Sequence, residues 1–199
     1  MQATTDLKTL KVVRIGTAVS GSEMATTASR IVESFGGLLK RFQIVDYDAP
    51  AVNEIDASLL TQALELEFGG HILGVTEADL VDRSGPDFFN FVFGCKDTRN
   101  NVAVVSTRRL AGRDPERLLQ RLLKISLHEL GHNFGLVHHY SYEPASDGGY
   151  CPMTKGDFNR HGERSYIRSV VDARGFQFCQ RCRNFLRVVC DAITTANGN

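Results

Sequence analysis

The apolar positions of the N-terminal half fall into two rhythms. Lys11 to Val19 carries the dense β-branched pattern of a buried strand. Met24, Ala28, Ile31, Val32 and Phe35 then recur at helical spacing, which predicts a helix capped by Ser22 and stopped by Gly36-Gly37. Phe42 to Tyr47 reads as a second strand. Asp56 or Ser58 opens a second helix with Leu59, Leu60, Ala63 and Leu64 inward, closed by Gly69-Gly70. His71 to Val75 gives a third strand, with His71 at its entrance. Strand and helix alternating in this way predict an α/β fold, a mixed and largely parallel sheet with flanking helices.

Beyond residue 80 the rhythm changes. Phe89, Phe91 and Phe93 alternate with Phe88, Asn90 and Val92, and Asn101 to Thr107 forms another short strand. The short gap between them predicts an antiparallel hairpin, its aromatics serving as core. Asp114-Pro115 sets a capping carboxylate before a proline at the first helical position, so a long helix starts there, anchored by Leu119, Leu122, Leu123, Leu130 and Phe134. Tyr140 to Gly149 turns to Ser, Glu, Pro, Asp and Gly, the composition of a mobile loop. One domain over residues 1–199 is expected, with a sheet-and-helix part at 9–135 and a smaller part at 136–195.

Composition narrows the partners. A chain of 199 residues with 42% hydrophobic content can bury a core without disulfide support. Lys+Arg and Asp+Glu are both 23, a balance that argues against nucleic acid or an anionic membrane as the main partner. No apolar stretch approaches the ~20 residues that span a bilayer. The N-terminus lacks the basic start and apolar core of a signal peptide, so a cytoplasmic monomer is expected.

The chemistry is concentrated between His128 and His138. His128 and His132, four apart on a helix, place their imidazoles on one face where both reach one ion. Glu129 sits beside the first ligand, suited to act on water at the metal. Gly135 can take φ > 0 and turn the chain so that His138 arrives from another direction. Three neutral imidazoles leave the open position that catalytic zinc requires. Histidines merely satisfied or solvated on a helix would not explain why four of the six fall between residues 128 and 139.

The five cysteines are Cys95, Cys151, Cys179, Cys182 and Cys190, an odd count that favours thiols and metal ligation over a disulfide framework. Cys179-Gln180-Arg181-Cys182 has the gap of a zinc knuckle, with Cys151 upstream. A redox pair and plain buried thiols are the competing readings. Cys95 and Cys190 read as small buried side chains.

The extended histidine motif, Cys151-Pro152-Met153, Cys179-x-x-Cys182, and the segments Leu73 to Leu80, Asn90 to Gly94 and Ala103 to Leu110 together resemble the archaemetzincins, zinc metallopeptidases of the metzincin clan. The resemblance covers residues 10–190. It implies a catalytic zinc on His128, His132 and His138, Glu129 as general base, Met153 in a turn beneath the site, and a second, structural zinc nearby. Two departures stand out. The family carries a cysteine after the third histidine where this chain has His139. Eleven residues separate His139 from Cys151, and twenty-five separate Met153 from Cys179, both longer than the family's spacing. Imidazole replaces thiolate readily in structural zinc sites. The set His139, Cys151, Cys179 and Cys182 is therefore expected, with His161 or solvent as the alternative fourth ligand.

The expected function is zinc-dependent hydrolysis of a peptide or protein substrate. The strand at 102–107 is expected to edge the sheet and hold an extended peptide. Tyr140, Tyr142 and Tyr150 are candidate oxyanion contacts. A zinc-stabilised scaffold without turnover and a hydrolase of non-peptide amides are the rival functions.

Overall fold

The computed structural model describes residues 8–16, 19–49, 51–83, 89–97, 101–110, 114–156 and 165–196. Strand β1 (Thr9–Ile15) leads through helix α1 (Gly21–Ser34) to β2 (Arg41–Tyr47). The short β3 (Glu54–Asp56) precedes α2 (Ala57–Phe68) and β4 (His71–Thr76). Four more strands follow: β5 (Asp79–Asp82), β6 (Phe89–Val92), β7 (Gly94–Asp97) and β8 (Val102–Ser106). Helix α3 (Pro115–Asn133), a π-helical turn (Ile167–Val171) and helix α4 (Gln180–Ala196) complete the described chain.

The main sheet has the order β2-β1-β4-β8-β7, parallel except for β7, which pairs antiparallel with β8. Successive strand residues face opposite ways, so two cores form. Val12, Leu73, Val75, Ala103 and Val105 pack with α1 and α3 on one face. Val13, Ile72, Val102 and Val104 pack with Ala57, Leu60 and Leu64 of α2 on the other. The mixed sheet with flanking helices is the architecture that the residue pattern predicts.

Several local expectations are corrected. The first strand ends at Ile15 and not at Val19; Gly16 follows at φ 94°. Helix α1 is capped by Ser20 and not Ser22, because Ser20 and Glu23 form a reciprocal capping box. Glu23 N donates to Ser20 Oγ at 3.3 Å, and Ser20 N to Glu23 Oε2 at 2.9 Å. On α2 the inward set is Ala57, Leu60, Thr61 and Leu64, so Ala63 is exposed and Leu59 is 65% exposed. The cap at Asp56 fixes that face, accepting from Ser58 N and Leu59 N. The expected hairpin between the Phe-rich segment and β8 is also replaced. The partner of β8 is β7, while β6 turns away to pair antiparallel with β5 in a second sheet, β3-β5-β6. Phe88 and the side chains of Phe89, Asn90 and Phe91 lie outside the described residues. Phe93 packs, half-buried, against the α1/α3 core.

Helix α3 begins where Asp114-Pro115 places it, with the Asp114 carboxylate accepting from Glu116 N at 3.0 Å. Leu122, Leu123 and Leu130 are buried on the sheet, and Leu119 is partly buried. Arg121 grips Asp172 through two hydrogen bonds of 2.7 and 2.8 Å, which ties the helix to the end of the π-helical turn. His71 is buried at the start of β4 with its ring 4.7 Å from that of Phe134; burial lowers its pKa and keeps it neutral. Among the described residues no helix is long and apolar enough to cross a membrane.

Candidate metal centres

The end of α3 builds the first cluster. Phe134 caps the helix and Gly135, at φ 88°, reverses the chain so that Leu136 N bonds back to Gly131 O at 2.9 Å. His138 thereby faces the helix it has just left. Its Nε2 lies 3.0 Å from His132 Nε2 and 3.2 Å from His128 Nε2. Ligands on a tetrahedral zinc at ~2.0–2.1 Å stand about 3.3 Å from one another, so these three nitrogens already hold the spacing of one coordination sphere.

The outer nitrogens fix the tautomers. His128 Nδ1 bonds Pro152 O and His132 Nδ1 bonds Leu136 O, each at 2.8 Å. A carbonyl only accepts, so each Nδ1 carries the proton and each Nε2 presents its lone pair inward. Burial reinforces this: it holds His128 well below the ordinary imidazole range and lowers His132 and His138 to about 4. The donor set is neutral at physiological pH, as a divalent cation requires.

Glu129 adjoins the triad under the first residue of β7. A Cβ on Gly94 would stand 2.7 Å from Glu129 Cγ, so only glycine lets the edge strand pass this close. Burial raises the Glu129 carboxyl to about 7, near the value at which a group exchanges protons efficiently at neutral pH.

Met153 is fully buried beneath the helix. A Cβ on Gly131 would meet its Sδ at 2.6 Å, so this contact depends on a glycine in the helix. Gly131→Ala is expected to cost ~1–3 kcal/mol through overpacking, and Met153→Leu, nearly volume-conserving, less than ~1.5 kcal/mol. Denaturant midpoints of the two variants check the ranking.

The second cluster starts one residue after the first ends. His139 pairs with the turn carrying Met153, its N donating to Met153 O at 2.9 Å while Lys155 N donates to His139 O at 2.8 Å. His139 Nε2 lies 3.1 Å from Cys182 Sγ and 3.4 Å from Cys179 Sγ, and Cys151 Sγ lies 3.8 Å from Cys182 Sγ. Zinc–sulfur bonds of ~2.3 Å in a tetrahedron give about 3.8 Å between sulfurs. All four side chains are buried, and the four donor atoms lie within 4.8 Å of one another. Contact with Cys182 lowers the Cys151 thiol to about 5, and the same contact pushes Cys182 up. A closed set of four contrasts with the open set of three.

Tyr140 is 81% exposed, while Tyr142 and Tyr150 are also exposed and pack on each other with ring centroids 4.8 Å apart. His161 lies outside the described residues. Cys95 and Cys190 are half-buried, against the α2 and α1/α3 cores respectively. Two residues with no local sequence signal join the site region. Tyr166 stacks on Phe93 at 6.0 Å and hydrogen-bonds the buried Arg174.

An α/β sheet whose longest helix ends in an open histidine triad, beside a closed histidine and cysteine cluster, brings together two groups of side chains that could each hold a metal ion. The chain belongs to peptidase family M54, which matches residues 40–147. It is 36% identical to the archaemetzincin of Methanopyrus kandleri over 118 residues, 58% of this chain and 55% of that protein. It is 36% identical to the archaemetzincin of Aeropyrum pernix over 141 residues, 70% of this chain and 64% of that protein. These alignments thus span little more than half the length of the relatives. The crystal structure of the Methanopyrus kandleri archaemetzincin superposes with a TM-score of 0.71 at 25% identity, covering 96% of this chain and 99% of that one. The Archaeoglobus fulgidus archaemetzincin shares the fold with a TM-score of 0.64 at 22% identity, covering 89% and 99%.

Proposed function

We propose that the protein is a zinc metallopeptidase that hydrolyses peptide bonds, with His128, His132 and His138 holding the catalytic zinc and Glu129 serving as general base. The observation that carries this reading is the convergence of three Nε2 atoms, those of His128 and His132 with their Nδ1 atoms tied to carbonyls, beside a raised carboxyl. Zinc bound there would supply Lewis acidity, polarising the scissile carbonyl and acidifying water. Glu129 takes the proton of the attacking water on its carboxylate and returns it to the departing amine. The neutral imidazoles keep the positive charge of the site on the metal.

The sheet edge presented to a substrate is β7 and not the expected β8, which is paired on both sides. An extended peptide adding to β7 would run past Gly94 and so past Glu129. His139, Cys151, Cys179 and Cys182 would hold a second zinc, and a set of four protein ligands would suit it to bracing the fold.

Incubation with a mixed peptide library tests the assignment. Cleavage products should disappear when dipicolinate strips the histidine cluster and return on addition of equimolar zinc. Cleavage that persists in metal-free protein, or none with both clusters loaded, overturns it.

A further inference from the structure

Arg174 lies between the two clusters and belongs to neither. It is 4% exposed. Its backbone is fixed twice, by a hydrogen bond to Val170 O at 3.1 Å behind the π-helical turn and by a parallel bridge to Tyr150. Its guanidinium donates through Nη2 and Nε to the carbonyl of Thr154, at 2.7 and 3.2 Å. Arg14, Arg109 and Arg121 each have a carboxylate partner, whereas among the described residues none stands at ion-pair distance from Arg174. Tyr166, which also hydrogen-bonds it, acts on its charge first, followed by Glu129 and Cys151.

Thr154 belongs to a short turn that touches both clusters. Cys151 opens the turn and reaches the thiolate set, Pro152 O accepts from His128 Nδ1, and Met153 O accepts from His139 N. We propose that Arg174 is a positioning residue for the histidine cluster: its two-pronged grip on the Thr154 carbonyl holds the turn that aims His128. The proposal rests on the reading that both clusters hold metal. A cation buried without an ion pair is costly unless other negative charge offsets it. Three thiolates and a neutral imidazole round a divalent cation carry net negative charge, so the filled thiolate set supplies that offset. The charge of one centre thereby fixes the geometry of the other.

Cobalt(II) tests this. Full-length protein keeping zinc in the thiolate cluster is titrated with cobalt(II), and the d–d bands of the histidine cluster give its affinity and coordination geometry. Arg174→Met should bind cobalt about tenfold more weakly with altered bands, the low end of the loss seen when support behind a ligand is removed. Arg174→Lys keeps the charge but not the fork, and should show a smaller loss. Melting curves establish that each variant is folded; should Arg174→Met not fold, Arg174→Lys carries the test alone. A folded variant with a lower melting temperature but wild-type cobalt affinity and bands overturns the proposal. Failure of the wild-type histidine cluster to take cobalt overturns the functional reading beneath it.

Discussion

Glu129→Gln is expected to leave the fold and the zinc content intact and to lower hydrolysis by ~10²–10⁴-fold or more, the range for loss of a general base. The amide keeps the shape of the carboxylate, so the close approach of Gly94 is preserved. It cannot take a proton. The buried position, which raises the carboxyl to about 7, also tolerates a neutral side chain without leaving a charge unpaired. Steady-state rates on a cleaved library peptide, with elemental analysis of the same sample, check both halves. Wild-type turnover in Glu129→Gln would remove the carboxylate from the mechanism.

His139→Ala is expected to lose one zinc per chain and to destabilise the protein by ~4–5 kcal/mol, the scale set by loss of a structural metal. The cluster gathers the chain after α3, the turn carrying Met153, and the first turn of α4 through Cys179 and Cys182. Without the imidazole three thiols crowd a buried space, two of them already pushed toward the neutral form. His139→Cys restores a fourth ligand and should retain the metal. Thermal melts and zinc stoichiometry separate the two variants. A His139→Ala protein that keeps two zinc ions per chain would show that this imidazole is not a ligand.

How much of this was legible in the sequence depended on how local each signal is. The histidine triad could be read because helical spacing and a single turn at Gly135 relate all three residues within eleven positions. The start of α3 was equally plain, since Asp114-Pro115 carries both a cap and a fixed φ. The cap of α1 is also written locally, at Ser20 rather than Ser22: Ser20 has a glutamate three residues on, and Ser22 does not. Strand β7 could not be read in this way. Gly-Cys-Lys-Asp shows no apolar alternation, and its strand character comes from the β8 backbone it pairs with. The phenylalanine alternation nearby marks β6, which belongs to the other sheet. Arg174 had no signal at all, because an arginine before glycine looks like a solvated turn until the fold closes over it.

The thiolate cluster does not sit in a satellite of its own. Cys151, Cys179, Cys182 and Leu186 belong to the same buried group as Val12, Leu73 and Val105 of the main sheet. Detaching α4 would therefore open that shared core at Cys179, Cys182 and Leu186 together with the thiolate cluster, so the C-terminal segment has no cheap way to open alone. In native-state hydrogen exchange, its most protected amides should open with the same free energy as those of β1, β4 and β8 and follow the global unfolding reaction. The metal-bearing end and the sheet then form a single cooperative unit, and proteolytic resistance of the C-terminal helix becomes a measure of the stability of the entire molecule.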